Sequence, residues 1–150
     1  MAKKRIYLDL CCLNRPFDEQ TQDRVRLETE AVLSILSRCQ RGKWELVGSD
    51  ALEVEMTKSS DLEKLAKVQA LYSLADQRLT VTEDVEKRSL MLQGIGLKTF
   101  DSLHLALAEA YRCDVLLTTD DNFIMVAGRT ESDVAVANPI TWLMEVQHGN

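Results

Sequence analysis

The sequence has 150 residues, with 24 acidic against 18 basic side chains, a net charge of −6 and 45% hydrophobic residues. That length suits one domain, expected to span 1–150, which buries roughly 68–70% of its unfolded surface without needing staples. The acidic balance argues against broad electrostatic binding of nucleic acid and leaves room only for local binding.

No apolar run approaches the roughly 18–20 residues of a membrane span. The basic start Met1-Ala2-Lys3-Lys4-Arg5 is followed by too short an apolar stretch before Asp9 for a secretory signal. The chain therefore reads as cytoplasmic, with no membrane partner. Cys11 and Cys12 are adjacent, while Cys39 and Cys113 stand alone, so no C-x-x-C spacing suggests zinc or redox chemistry. Thiols in a reducing compartment are expected.

In chain order, Ile6-Tyr7-Leu8-Asp9-Leu10 reads as a buried strand, with apolar character continuing through Cys11-Cys12-Leu13 and a polar loop over Asn14-Arg15-Pro16-Phe17. From about Gln22 to Gln40, Val25, Val32, Ile35, Leu36 and Cys39 recur at helical spacing, and Gly42 ends the helix. Glu45-Leu46-Val47-Gly48 is a second strand, after which Ser49 and Asp50 offer caps to a helix through Glu55. A helix over 61–74 precedes a β-branched strand over 79–82. Another helix runs from about Glu83 to Leu92 and stops near Gly94-Ile95-Gly96. Thr99 or Asp101 starts the clearest helix, which continues through Ala110. Val115-Leu116-Leu117-Thr118-Thr119 is the central strand, and Asp120-Asp121-Asn122 opens a turn and short helix. A strand over 134–137 and a terminal helix at Pro139 complete the chain. Strands alternating with helices imply crossovers, hence a mainly parallel sheet covered on both faces: an α/β class, three-layer sandwich. Sites in such folds lie beyond the carboxyl ends of the strands.

Asp9 interrupts an apolar stretch, and a buried unpaired carboxylate costs several kcal/mol unless protonated, hydrogen-bonded or bound to a cation. Asp120 follows the central strand and suits either a site or a helix cap, with Asp121 as its competitor and the hydroxyls of Thr118 and Thr119 placed to orient it. Asp101 lies in a first helical turn, where the macrodipole alone favours an acid. His104, on the same face, is read as a core-edge histidine bonded to backbone in preference to a metal ligand. Glu55 follows the second strand, and Glu53 points to another face. A parallel sheet brings all these positions to one edge, where clustered like charges call for hard cations with oxygen ligands. His104 and His148 are too few for a zinc site, so magnesium or manganese follows from ligand type. Basic residues cluster at Lys3-Lys4-Arg5 and along Arg24, Arg26, Arg38, Arg41 and Lys43, where a solvated helix face is the plainer reading.

Four segments carry a resemblance: 7–17 (Tyr-Leu-Asp-Leu-Cys-Cys-Leu-Asn-Arg-Pro-Phe), 49–55 (Ser-Asp-Ala-Leu-Glu-Val-Glu), 101–106 (Asp-Ser-Leu-His-Leu-Ala) and 117–123 (Leu-Thr-Thr-Asp-Asp-Asn-Phe). In this order and spacing they resemble PIN-domain nucleases, including the toxin subunits of bacterial toxin–antitoxin pairs. The resemblance implies a PIN-like fold and Mg²⁺- or Mn²⁺-dependent cleavage of RNA, with Asp9, Glu55, Asp101 and Asp120 as the acidic metal-binding and catalytic set. It also implies an antitoxin protein as partner and a homodimer. Two positions depart from the family pattern. Cys11 stands where many members have Asn or Ser, and Asn122 where another Asp is common. The rival expectation is a PIN-like module that holds RNA or a partner protein with weak or no turnover. A nucleotide-binding α/β domain is disfavoured because no glycine-rich loop follows a strand; Gly94-Ile95-Gly96 follows a helix.

Overall fold

The computed structural model describes residues 2–148; of the expected domain 1–150, Met1, Gly149 and Asn150 lie outside the described residues. Five strands, β1 (Arg5–Leu8), β2 (Glu45–Ser49), β3 (Gln77–Leu79), β4 (Val115–Leu117) and β5 (Ala135–Ala137), form one sheet in the order β3-β2-β1-β4-β5. Every neighbouring pair is parallel, with Tyr7 opposite Val47 on one side and Leu116 on the other. Among the described residues the α-helices are α1 (Leu10–Asn14), α2 (Asp23–Gln40), α3 (Asp50–Met56), α4 (Leu62–Tyr72), α5 (Glu83–Gly94), α6 (Thr99–Ala110), α7 (Asp121–Ala127) and α8 (Pro139–His148).

Alternate strand residues feed two apolar cores. Tyr7, Val47 and Leu116 face one core with Val85 and Leu92 of α5, Leu105 and Leu107 of α6, and Phe123 of α7. Ile6, Leu8, Leu46, Val115 and Leu117 face the other with Val32, Ile35 and Leu36 of α2, Val68 of α4 and Trp142 of α8. Helices therefore cover both faces, giving three layers. Each large fully buried side chain contributes roughly 1.5–3 kcal/mol. The Trp44 and Trp142 rings meet edge to face at 5.0 Å and fasten α8 beside the sheet. Among the described residues, no helix is long and apolar enough to cross a membrane.

Four expectations about local structure are corrected. The apolar run after Asp9 is not strand but α1, followed by a 3-10 turn at Arg15–Phe17 in place of the expected loop. Asp9 N–H still bonds Leu117 O at 2.9 Å, but the Asp9 carboxylate caps Leu10 N–H and turns the chain out of the sheet. β3 lies two residues earlier than the β-branched run suggested. Thr82 instead caps α5 through Val85 N–H. β4 ends at Leu117, and Thr118 donates only one further backbone bond, to Ala137 O.

The order β3-β2-β1-β4-β5 reverses direction between β1 and β4. A crevice opens at such a switch point, beyond the carboxyl ends of the two strands. Asp9 follows β1 there and Asp120 follows β4.

Candidate active site

A cavity of about 300 Å³ lies at this switch point, and its wall includes Asp9, Glu55, Asp101 and Asp120 together with Leu10, Cys11, Asn14 and Lys98. Four elements deliver the acids. Asp9 and Asp120 are the N-caps of α1 and α7, Asp101 lies in the first turn of α6, and Glu55 stands near the end of α3.

Asp9 is 5% exposed and its two oxygens are held from opposite sides. Oδ1 accepts from Leu10 N–H at 2.8 Å, and Oδ2 accepts from the Thr118 hydroxyl at 2.8 Å. The Cys11 thiol lies 3.4 Å from Oδ2 and in turn takes Thr119 N–H at 3.3 Å. The Thr118 hydroxyl thus donates to Asp9 and accepts from Asp120 N–H at 3.1 Å, so it positions Asp120 through its backbone, not its carboxylate, and ties the two acids together. Asp120 Oδ1 caps α7 through the N–H groups of Asn122 and Phe123, at 2.9 and 3.2 Å. Asp121 turns away and grips Arg24 with both oxygens at 2.8 Å. Asp120, not Asp121, is thus the acid on the cavity wall.

Glu55 Oε1 lies 2.9 Å from His104 Nε2. Glu53 is drawn to the other side of α3, where Tyr72 Oη and Arg78 Nε donate to it at 2.6 and 2.7 Å. Gly48 permits this. A Cβ there would stand 2.5 Å from the Tyr72 hydroxyl.

His104 is wholly buried and bonded to side chains, not to backbone as expected. Its Nδ1 lies 2.6 Å from Tyr7 Oη, which lies 2.7 Å from Ser49 Oγ, which accepts from Leu52 N–H at 3.0 Å. Donor accounting runs one way along this relay. The Glu55 carboxylate only accepts, so Nε2 carries the proton. With a single ring proton, Nδ1 then accepts from Tyr7, whose one proton is spent there, and Ser49 donates to Tyr7 while accepting from Leu52 N–H. Burial raises the Tyr7 pKa well above the ordinary phenol value, which keeps its proton in place. One oxygen or nitrogen each from Asp9, Glu55 and His104 lies within 4.8 Å of the others. With both ring nitrogens already bonded, His104 acts here as a brace for Glu55.

The Asp101 carboxyl has no hydrogen-bond partner among the described residues. Burial first, then the charges of Asp9, Asp120 and Glu55, push its carboxyl up to about 7, opposed by His104. Lys98 is the one basic residue on the cavity wall and forms no ion pair among the described residues. Arg15, which lies in the segment just after α1, is committed elsewhere. Its Nε donates to Glu28 at 2.7 Å and its Nη1 to Asp18 at 3.0 Å.

Glu28 is a residue that the sequence reading passed over. Its carboxylate is fully buried in α2 and accepts from Arg15, from Arg24 Nε at 3.0 Å and from Asn138 Nδ2 at 2.6 Å. Arg24 also donates to Thr119 O at 3.0 Å and so ties the turn that carries Asp120 to α2. A signal was present. Glu28 sits in the stripe of Val25, Val32, Ile35, Leu36 and Cys39, three and four residues from its neighbours. Tyr7 gave no such signal, since a tyrosine inside an apolar strand reads as ordinary core.

A sequence model of the PIN domain matches residues 6–129, and the chain belongs to the PIN-domain family, a family of nucleases. Among solved structures it is similar to a chain in the crystal structure of VapBC2 from Rickettsia felis bound to a DNA fragment from their promoter. The TM-score is 0.63 at 12% identity, over 89% of this chain and 98% of that one. At that identity the likeness is one of fold. No curated protein matches the sequence.

Proposed function

We propose that the chain, acting as one domain, is an endoribonuclease that uses Mg²⁺ or Mn²⁺ to hydrolyse RNA phosphodiester bonds. Asp9, Glu55, Asp101 and Asp120 are its metal-binding and catalytic set. One observation carries this reading: four carboxylates from four elements line a single cavity, with Lys98 as the only base among them. Such a set is costly without a counter-charge, and the raised Asp101 carboxyl is a symptom of that cost. The donors are carboxylate oxygens, which suits a small hard divalent ion.

Such an ion, when bound, supplies Lewis acidity toward the phosphoryl oxygens and makes a water more acidic. The side chains do the rest. Leu10 N–H and the Thr118 hydroxyl fix the Asp9 carboxylate in advance, so no reorganisation is needed when charge arrives. His104 Nε2–H holds Glu55 Oε1 and leaves Oε2 without a protein partner, while Asp120 Oδ2 is free in the same way. Glu55 or Asp120 orients the attacking water and accepts its proton. Lys98 contacts a non-bridging phosphate oxygen.

The likeness in fold to VapBC2, together with the four sequence motifs, supports a toxin role, with a small antitoxin protein as partner and a homodimer as the working assembly. Absence of a membrane-crossing helix among the described residues agrees with action in the cytoplasm. Calorimetric titration with Mn²⁺ and cleavage of single-stranded RNA test the reading. Asp9→Asn should weaken Mn²⁺ binding and lower cleavage by roughly 100-fold or more, which corresponds to several kcal/mol of lost charge stabilisation. Unchanged cleavage would overturn the assignment. Mn²⁺ binding with no cleavage by the wild type would leave a binding module instead.

A further inference from the structure

A second hollow of about 310 Å³ adjoins the acid cavity, and Leu10, Asn14 and Glu55 belong to the walls of both. We infer that this hollow is a subsite for the nucleoside next to the scissile phosphate, with Asn14 and Lys58 as its polar contacts; the inference rests on the nuclease reading above. If the phosphate is seated among the carboxylates, the adjoining nucleotide lies across the shared wall.

The lining suits a base. The floor is apolar, formed by Met56 and Val68, 3% and 2% exposed, with Leu10 and Leu65 packed against the same core. Such a surface accepts the face of a flat ring and excludes water from it. The polar groups lie at the sides. The Asn14 side-chain amide, on the shared wall, has no hydrogen-bond partner among the described residues and carries both donor and acceptor for a base edge. Lys58 stands at the exposed mouth, forms no ion pair among the described residues, and holds its ammonium 5.9 Å from the centre of the Phe100 ring. Its ammonium is free for the phosphate on the far side of the nucleoside. Lys64 is not free, since its Nζ donates to Asp18 at 2.6 Å.

The volume lies at the low end of the roughly 300–1,000 Å³ usual for small-ligand sites, enough for one unpaired nucleoside. A second metal ion is a poor occupant, because the wall holds two lysines against the single acid Glu55.

The test uses the full chain, Ser59→Trp to fill the exposed mouth, and Lys58→Ala and Asn14→Ala to remove the polar contacts. Each variant is measured by Mn²⁺ calorimetry and by cleavage of a single-stranded oligoribonucleotide. Ser59→Trp should leave Mn²⁺ affinity unchanged and raise KM about tenfold, the scale of one lost base contact. Lys58→Ala should raise KM several-fold and flatten its salt dependence. Asn14→Ala should alter the preference among bases at one flanking position. Equal KM values for wild type, Ser59→Trp and Lys58→Ala would overturn the subsite while leaving the nuclease standing. If the wild type binds the labelled oligonucleotide without cutting it, the nuclease reading falls. The subsite is then judged by fluorescence anisotropy, where lost affinity in Ser59→Trp and Lys58→Ala upholds it and unchanged affinity rejects it. No oligonucleotide binding by the wild type rejects both and leaves the hollow to a protein side chain.

Discussion

One fully buried carboxylate, Glu28, and a cluster of four acids, buried or half-buried, flank the turn after β4, and they are built on opposite terms. Around Glu28, both carboxylate oxygens are bonded, by Arg15 on one side and by Arg24 and Asn138 on the other. Around the cavity, Asp9, Glu55, Asp101 and Asp120 face one another, and Lys98 is the only base in the wall. The first arrangement is complete as it stands. The second leaves its charges largely uncompensated by the chain, and that compensation is what the proposed metal ion would supply. A carboxylate in the same fold is thus a structural asset or a liability according to whether its counter-charge is covalently part of the chain.

Deleting an acid should therefore have opposite effects in the two regions. The largest change is expected for Glu28→Ala, which leaves a buried hole and takes away the shared acceptor of Arg15 Nε, Arg24 Nε and Asn138 Nδ2, although Arg15 keeps Asp18 and Arg24 keeps Asp121. Urea unfolding should show a loss of about 3–5 kcal/mol, and looser attachment of the turn bearing Asp120. A loss below about 1 kcal/mol would mean that Arg15 and Arg24 find water instead, and the contrast would weaken.

Next comes the brace on Glu55. His104→Asn retains an acceptor for Tyr7 but is too short to donate to Glu55, whereas His104→Gln places an amide N–H near the position of Nε2. The first should weaken Mn²⁺ binding by about 10–100-fold, the range for ligand-orienting groups, and the second by less. Equal losses in both would show that the ring matters for packing alone.

The smallest effect has the most informative sign. Asp101→Asn should stabilise the metal-free protein by roughly 1–3 kcal/mol at pH 8, even as it impairs cleavage. The folded-state carboxyl titrates at about 7, above its ordinary value of 3.8. The stability it contributes is full below about pH 4 and is lost as pH rises through 7. The gain from Asp101→Asn should accordingly be present at pH 8 and vanish near pH 4. A destabilised variant at pH 8 would mean that the carboxylates are not in strain with one another.

Much of this was readable from residue patterns, for identifiable reasons. The helical stripes and the short apolar runs locate most elements, because periodicity reports burial directly. The rule for parallel sheets, applied to Asp9 and Asp120, points to one edge. Local chemistry defeated the rest. Leu10-Cys11-Cys12-Leu13 is apolar enough for a strand, yet one hydrogen bond from Leu10 N–H to Asp9 begins a helix. The relay Ser49–Tyr7–His104–Glu55 joins residues up to 97 positions apart. No local pattern announces such a chain. Glu28 was visible as a charge in an apolar stripe, but its partners Arg15 and Asn138 are set by tertiary packing.

The Thr118 hydroxyl and Asp9 are 109 positions apart, yet they share a hydrogen bond, because the sheet places its first and fourth strands side by side. During synthesis, the first carboxylate emerges early and waits. Until β4 has left the ribosome and paired with β1, Asp9 lacks its brace, Asp120 does not exist, and the crevice has no second wall. The growing chain consequently has no complete acid cavity for most of its length, and any truncated product ending before β4 lacks that cavity altogether.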